Sequence, residues 1–397
     1  MSAPDEKQQL YDLIDVFFSR DPADEVVSSL EKLLTARPAF EEPESDLDST
    51  KDFRYECATR IQQEIRNLHQ QFRLQAIHVS TILLVPKESL EDGGFLAYNQ
   101  PASTLHKNLT SVASLLRHFH LKSREDRYLI PHEATTVEEN ACLRRDEHGC
   151  AFMATADPRV ARIVPFSWNN NKANVHETKQ VLGALKAFFS DTICDKLGGL
   201  LANPDDLGSS EKHWNMIAFN IQLLKYWSIA CCGLKCLGIR PKAAQDPDSP
   251  DSVEDSPKVS DETEWEVVIQ FQWLNRRWVK PNVEMDIMAG NESMQKMAET
   301  QINYEKAWRP PPTPRHGDGA IGAVRVDIHA PLISGQTFTF TMSEQDAINC
   351  KMALDLRWYL VSIEAMSGAA SYPRLLPPAD GSDEIGQQDT DDTDSDY

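Results

Sequence analysis

Two short stretches decide the fold: Val160-Ala161-Arg162-Ile163-Val164-Pro165-Phe166 and, some fifty residues on, Trp214-Asn215-Met216-Ile217. The first is dense in branched apolar residues and predicts a short strand. Pro165 ends it, because proline brings no N–H to a ladder. A polar turn, Arg144-Arg145-Asp146-Glu147-His148-Gly149, precedes the strand, and a polar loop, Ser167 to Lys172, follows it. Val181, Leu182, Leu185, Phe188 and Phe189 then make an amphipathic stretch, and Asn203 to Ser210 reads as a second loop. The run from Trp214 to Tyr226 reads as helical, with Ile217 and Leu224 on apolar faces.

Outward from this segment, residues 1–135 read as a helical N-terminal region. Leu10, Leu13, Ile14, Phe17 and Phe18 sit at helical spacing, and beyond Pro22 so do Val26, Val27, Leu30, Leu33 and Leu34. An acidic loop from Glu41 to Lys51 leads to a longer helix with Ile61, Ile65, Leu68 and Phe72 on one stripe. These stripes read as core packing. Residues 241–264, rich in Asp, Pro and Ser, read as an acidic disordered linker, and residues 380–397 as an acidic disordered tail. Between them, residues 265–372 alternate strand patterns (Trp265 to Val279, Val324 to His329, Thr337 to Thr341) with a Ser334-Gly335 turn. A helix from about Glu344 to Met366 closes that region.

Charge narrows the function classes. The 397 residues hold 40 Lys+Arg against 61 Asp+Glu, a net charge of −21, which repels a nucleic-acid backbone at long range. No apolar run approaches the roughly 20 residues that span a bilayer, and the polar start, Met1 to Gln9, has no signal-like apolar core. The expectation is a soluble intracellular protein with no membrane partner, in nucleus or cytoplasm. The 8 cysteines are too sparse for a disulfide framework.

The landmarks Ala161-Arg162-Ile163-Val164-Pro165-Phe166, Trp214-Asn215-Met216-Ile217, Ser334-Gly335 and Met366-Ser367-Gly368-Ala369-Ala370 occur in one order. In that order the chain resembles the fungal proteins that carry a His-Asn-His (HNH) nuclease domain. The resemblance runs from about Cys142 to the C-terminal helix. It implies an α+β protein whose core, residues 142–239, is a ββα-metal unit set between the N-terminal helices and a C-terminal strand-plus-helix layer, 265–372. In that family one His at the strand end takes a proton from water, an Asn orients its loop, and a His on the helix holds a divalent cation. Imidazole suits both jobs, since it titrates near neutrality and its free nitrogen binds metals.

Carried onto this chain, Arg162 stands at the general-base position, Asn215 at the central Asn and Leu224 at the metal ligand. A guanidinium stays protonated and cannot take a proton from water. A leucine offers a cation no donor atom. The resemblance therefore implies a degenerate site, no metal ligands, and no cofactor beyond a divalent cation such as Mg if the site is active. Glu211 and His213 are the residues that could compensate. His176, Asp205 and Asp206 lie nearby in sequence.

The remaining signals are local. Cys231, Cys232 and Cys236 sit among apolar neighbours and read as buried free thiols; Cys142 and Cys150 bracket the polar turn. Arg276 and Arg277 between Trp273 and Trp278 have the makings of a basic–aromatic nucleic-acid surface. Gly317-Asp318-Gly319-Ala320-Ile321-Gly322 follows a proline run and precedes a strand pattern, the wrong setting for a dinucleotide loop. The leading expectation is a non-catalytic nucleic-acid or protein interaction module. The alternatives are an active metal-dependent endonuclease with a rearranged site and an acidic scaffold for basic partners.

Overall fold

The computed structural model describes residues 3–126, 133–243, 263–285, 287, 290, 292–306, 315–316 and 319–378. Most of the expected linker, the expected tail and the start of the glycine-rich string lie outside these residues.

The centre is a three-stranded antiparallel sheet of β3 (Cys232–Pro241), β4 (Trp265–Trp273) and β5 (Thr337–Met342), with β4 in the middle. Val267, Ile269, Phe271 and Trp273 on one face of β4 are all buried, and so are Gln270 and Gln272 on the other, as a strand covered on both faces requires. An extra residue between Cys236 and Gly238 makes a bulge in β3. The strand extends to Pro241, and the Lys242 N–H donates to Glu264 O (2.8 Å). The ends of the expected linker are thus held together as the ends of a hairpin.

Helix α11 (Glu344–Ser367) lies between this sheet and α4 (Ala76–Leu84). It starts where the Ser343 Oγ accepts from Asp346 N (3.2 Å). It ends at Gly368, with φ +78°, where a Cβ would meet Val279 O at 1.8 Å. No other residue fits that close approach. Helices α3 (Leu47–Leu68), α5 (Ala102–Glu125) and α10 (Glu292–Lys306) complete the layer around α4. One contiguous apolar core includes residues from Leu47 to Leu376, so the helices from α3 onward, the middle segment and the C-terminal layer pack as one body.

The middle segment holds a second, smaller unit. Strand β1 (Arg159–Arg162) pairs antiparallel with β2 (Met216–Phe219), with Arg162 opposite Met216. Helix α9 (Ile221–Ser228) follows at once, capped by the Asn220 side chain, which accepts from Gln222 N (2.9 Å). The insert between the strands carries α7 (Lys172–Val181) and α8 (Asp191–Leu201). Helix α6 (Glu133–Arg145) packs on β2.

Several sequence expectations need correction. Met216–Phe219 is a strand, not the first turn of a helix. All four residues are buried, so neither the period of a strand nor that of a helix shows in them. The stretch through Phe189 is broken: α7 ends at Val181 and a 3-10 segment runs Leu182–Ala187. Past Trp273 the chain leaves the sheet. Only Val324–Arg325 of the expected 324–329 strand is extended, because residues 326–329 turn back and His329 adopts φ +53°.

Helices α1 (Ala3–Phe18) and α2 (Asp24–Thr35) differ from the rest. No residue of α2 is buried, and Leu13, Val16, Val26 and Leu33 are exposed. Their stripes read as core packing in the sequence, but in the fold they stand outside the core. No helix among the described residues is long and apolar enough to cross a membrane.

Candidate functional site

Asn215 is the pin of the β1–β2 unit. It is fully buried, and every polar atom of its amide is engaged. Its Oδ1 accepts from Val164 N (2.8 Å), while Nδ2 donates to Val164 O (2.8 Å) and Ser210 O (3.0 Å). Its backbone carbonyl accepts from Ile163 N (2.8 Å). These bonds fix the loop that follows Arg162. From the far side, Arg357 of α11 donates to Ile163 O (2.8 Å).

Arg162 ends β1 with its guanidinium largely enclosed. Nε donates to Glu211 Oε2 (2.8 Å), Nη2 to Glu211 Oε1, and Nη2 more weakly to Glu139 Oε1 (3.4 Å). Burial opposes the charged form, but the Glu211 carboxylate outweighs it and holds Arg162 more firmly protonated than usual. Burial pushes the Glu139 carboxyl up. Phe166 lies against the guanidinium, 5.8 Å from ring centroid to carbon.

The other expected site residues do not join this pair in a reactive cluster. Leu224 lies on α9, half-buried against the core. His213 N and Nδ1 both meet Glu138 Oε2 (3.0 and 3.1 Å), and Nε2 is 3.5 Å from Asp346 Oδ2. Burial works against the Glu138 charge, yet Lys212 and His213 hold its carboxyl below the usual range. His176 is exposed on α7 beside Gln180, and Asp205 and Asp206 are exposed in their loop. Among the described residues, no three or more His, Cys, Asp or Glu side chains are grouped to hold a metal ion. All 8 cysteines are free, and Cys231 and Cys232 are buried with their thiols pushed up by desolvation.

Arg276 and Arg277 do not present an open basic surface. The Arg276 guanidinium lies over the Trp278 ring (4.4 Å) and donates to Ser371 Oγ (2.8 Å). Arg277 is half-buried, and desolvation lowers its pKa.

One residue pair escaped the sequence reading. Arg145 and Asp146, in the apparent polar turn, form a buried ion pair that fastens α6 to β2. Arg145 donates to Met216 O (2.8 Å) and His213 O (3.1 Å), and Asp146 accepts from Ala218 N (2.9 Å). Adjacent Arg and Asp are common in solvated turns, so no sequence signal marks them as buried.

Comparison with family models, with curated proteins and with solved structures finds no match to this chain.

Proposed function

We propose that this chain is a degenerate HNH-like protein retained as a non-catalytic interaction module. The observation that carries the reading is Arg162, closed off by Glu211 beside an Asn215 that still fixes the loop behind it. Hydrolysis of a phosphodiester needs a group that can take a proton from water, and a guanidinium held charged by a carboxylate cannot. On this reading β1, Asn215, β2 and α9, which follow one another in that order, are the ββα unit.

A protein partner fits better than a nucleic acid. The net charge is −21, Arg276 is held by Ser371 and Trp278, and Arg277 is half-buried. The exposed apolar stripes of α1 and α2 are flanked by Asp12, Asp15, Asp24 and Glu25. That chemistry fits a basic amphipathic helix, whereas a second copy of this chain would set acid against acid. The same reading takes the protein as soluble and intracellular. An active endonuclease with a rearranged site gains no support, since Glu211 is bound to Arg162 and His213 to Glu138.

The test is plasmid nicking by the purified full chain with Mg²⁺ or Mn²⁺. The expected result is no cleavage above a buffer control. Robust metal-dependent cleavage that Asn215→Ala abolishes and Arg162→Ala spares would overturn the proposal. Salt-sensitive binding of a duplex oligonucleotide without cleavage would overturn the choice of a protein partner.

A further inference from the structure

A cleft of about 360 Å³ lies where the end of α4, strands β3 and β4, the end of α10 and the middle of α11 meet. Its walls share no residue with Arg162, Glu211, Asn215 or Leu224. The volume suits a small molecule rather than a chain segment.

The polar groups on its walls are unequally used. Every cation there has its partner within the fold. Lys235 donates to Glu44 O (3.0 Å), Lys351 is paired with Asp355, and Arg54 donates to Ile82 O and Val85 O (2.8 Å each). The four lining carboxylates, Glu44, Asp46, Glu305 and Asp355, outnumber the three lining cations. The acceptors differ. Glu305 Oε1 takes a hydrogen bond from Gln301 (2.8 Å), and Ser45 and the charge of Lys235 also favour the carboxylate, while its Oε2 is buried without a hydrogen bond among the described residues. The Tyr304 hydroxyl and Ser362 Oγ are likewise buried without a hydrogen-bond partner. Burial pushes the carboxyls of Glu305 and Asp355 up, as expected where carboxylates have lost water and gained too little in return. Trp358 adds an aromatic ring to the same wall.

Unspent acceptors, an excess of carboxylates over cations and an aromatic wall together select one ligand charge. We propose that this cleft binds a small organic cation, an alkylammonium with an apolar body, anchored by Glu305 with the Tyr304 and Ser362 hydroxyls as further acceptors. An ammonium supplies three donors, and its bond to a carboxylate is among the stronger hydrogen bonds. An aromatic face nearby favours it further. The negative field of the whole chain, −21, draws a cation rather than an anion.

The experiment is calorimetric titration of the full chain with three probes that share a body and differ in charge: phenethylamine, 2-phenylethanol and 3-phenylpropanoate. The expected result is saturable binding of phenethylamine, at least tenfold weaker binding of the alcohol, and none of the acid. Glu305→Gln should weaken the amine at least tenfold and leave the alcohol unchanged. Equal binding of all three probes, preference for the acid, or no binding of the amine at millimolar concentration would overturn the proposal. So would a folded Glu305→Gln protein that keeps wild-type amine affinity. A nuclease assay does not read this site, so its failure and that of the HNH-like reading are separable.

Discussion

Asn215 and Tyr304 both keep a polar group away from water, and they use it in opposite ways. Asn215 makes three side-chain hydrogen bonds across the β1–β2 loop, whereas the Tyr304 hydroxyl makes none among the described residues. The carboxylates beside them diverge in the same sense. Glu211 is saturated by a guanidinium, and Glu305 has an oxygen to spare. An unmade hydrogen bond is expensive in a protein interior, about 1–3 kcal/mol for each buried group. A region whose polar groups are all matched is built to hold a shape. A region that leaves several unmatched holds capacity for something else. The loop that Asn215 pins is of the first kind, although the indole N–H groups of Trp168 and Trp227 nearby are buried without a partner among the described residues, and the cleft without a motif is of the second.

The contrast breaks most easily at Glu211. Glu211→Ala leaves Arg162 enclosed with only a long contact to Glu139 (3.4 Å), and it should destabilise the chain by about 3–5 kcal/mol in urea denaturation. Replacing both partners, Arg162→Met with Glu211→Leu, should recover most of that loss. A Glu211→Ala protein within about 1 kcal/mol of wild type would mean that water already screens the pair.

Removing a carboxylate charge from the cleft should act with the opposite sign. Burial raises the Glu305 carboxyl above its unfolded value, so the native state holds its proton over a pH range where the unfolded chain has released it. The stability tied to this group therefore falls as pH rises through that range, and the charged form carries a penalty above it. Glu305→Gln should raise the melting temperature by a few degrees at pH 7. The gain should shrink as pH falls toward about 4, where an unfolded glutamate is itself protonated. A variant less stable than wild type at pH 7 would place Glu305 with the matched groups and dissolve the distinction.

The smallest effect belongs to Tyr304→Phe. Removing a buried hydroxyl that has no partner among the described residues relieves its desolvation cost, so the variant should be more stable than wild type by about 1 kcal/mol in chemical denaturation. A loss above about 1.5 kcal/mol would reveal a partner for that oxygen in solution.

The same contrast explains what could be read in advance. The closing helix was legible from its apolar spacing. Arg162 and Asn215 were expected as neighbours because the family resemblance implied a ββα unit, and guanidinium chemistry alone rules out a base at position 162. The partner of Arg162 was not legible. A carboxylate at position 211 has the same sequence signature whether it caps a helix, holds a metal or binds an arginine 49 positions away. Met216–Phe219 was misread because four buried residues in a row carry no period. The cleft left no trace in the sequence, since its walls come from distant segments and an unmatched hydroxyl differs from a matched one only in what the fold brings near it.

The ribbon also has a temporal side. Its strands pair Arg162 with Met216, so the chain must close a loop of more than fifty residues before the first ladder bond forms. For a flexible loop of that length the closure entropy amounts to roughly 3–4 kcal/mol, far more than one backbone hydrogen bond returns. The insert offsets that entropy by not being flexible. Trp168, Leu185 and Leu197 are buried within it, and a loop already condensed on its own apolar residues brings its ends together with less left to lose.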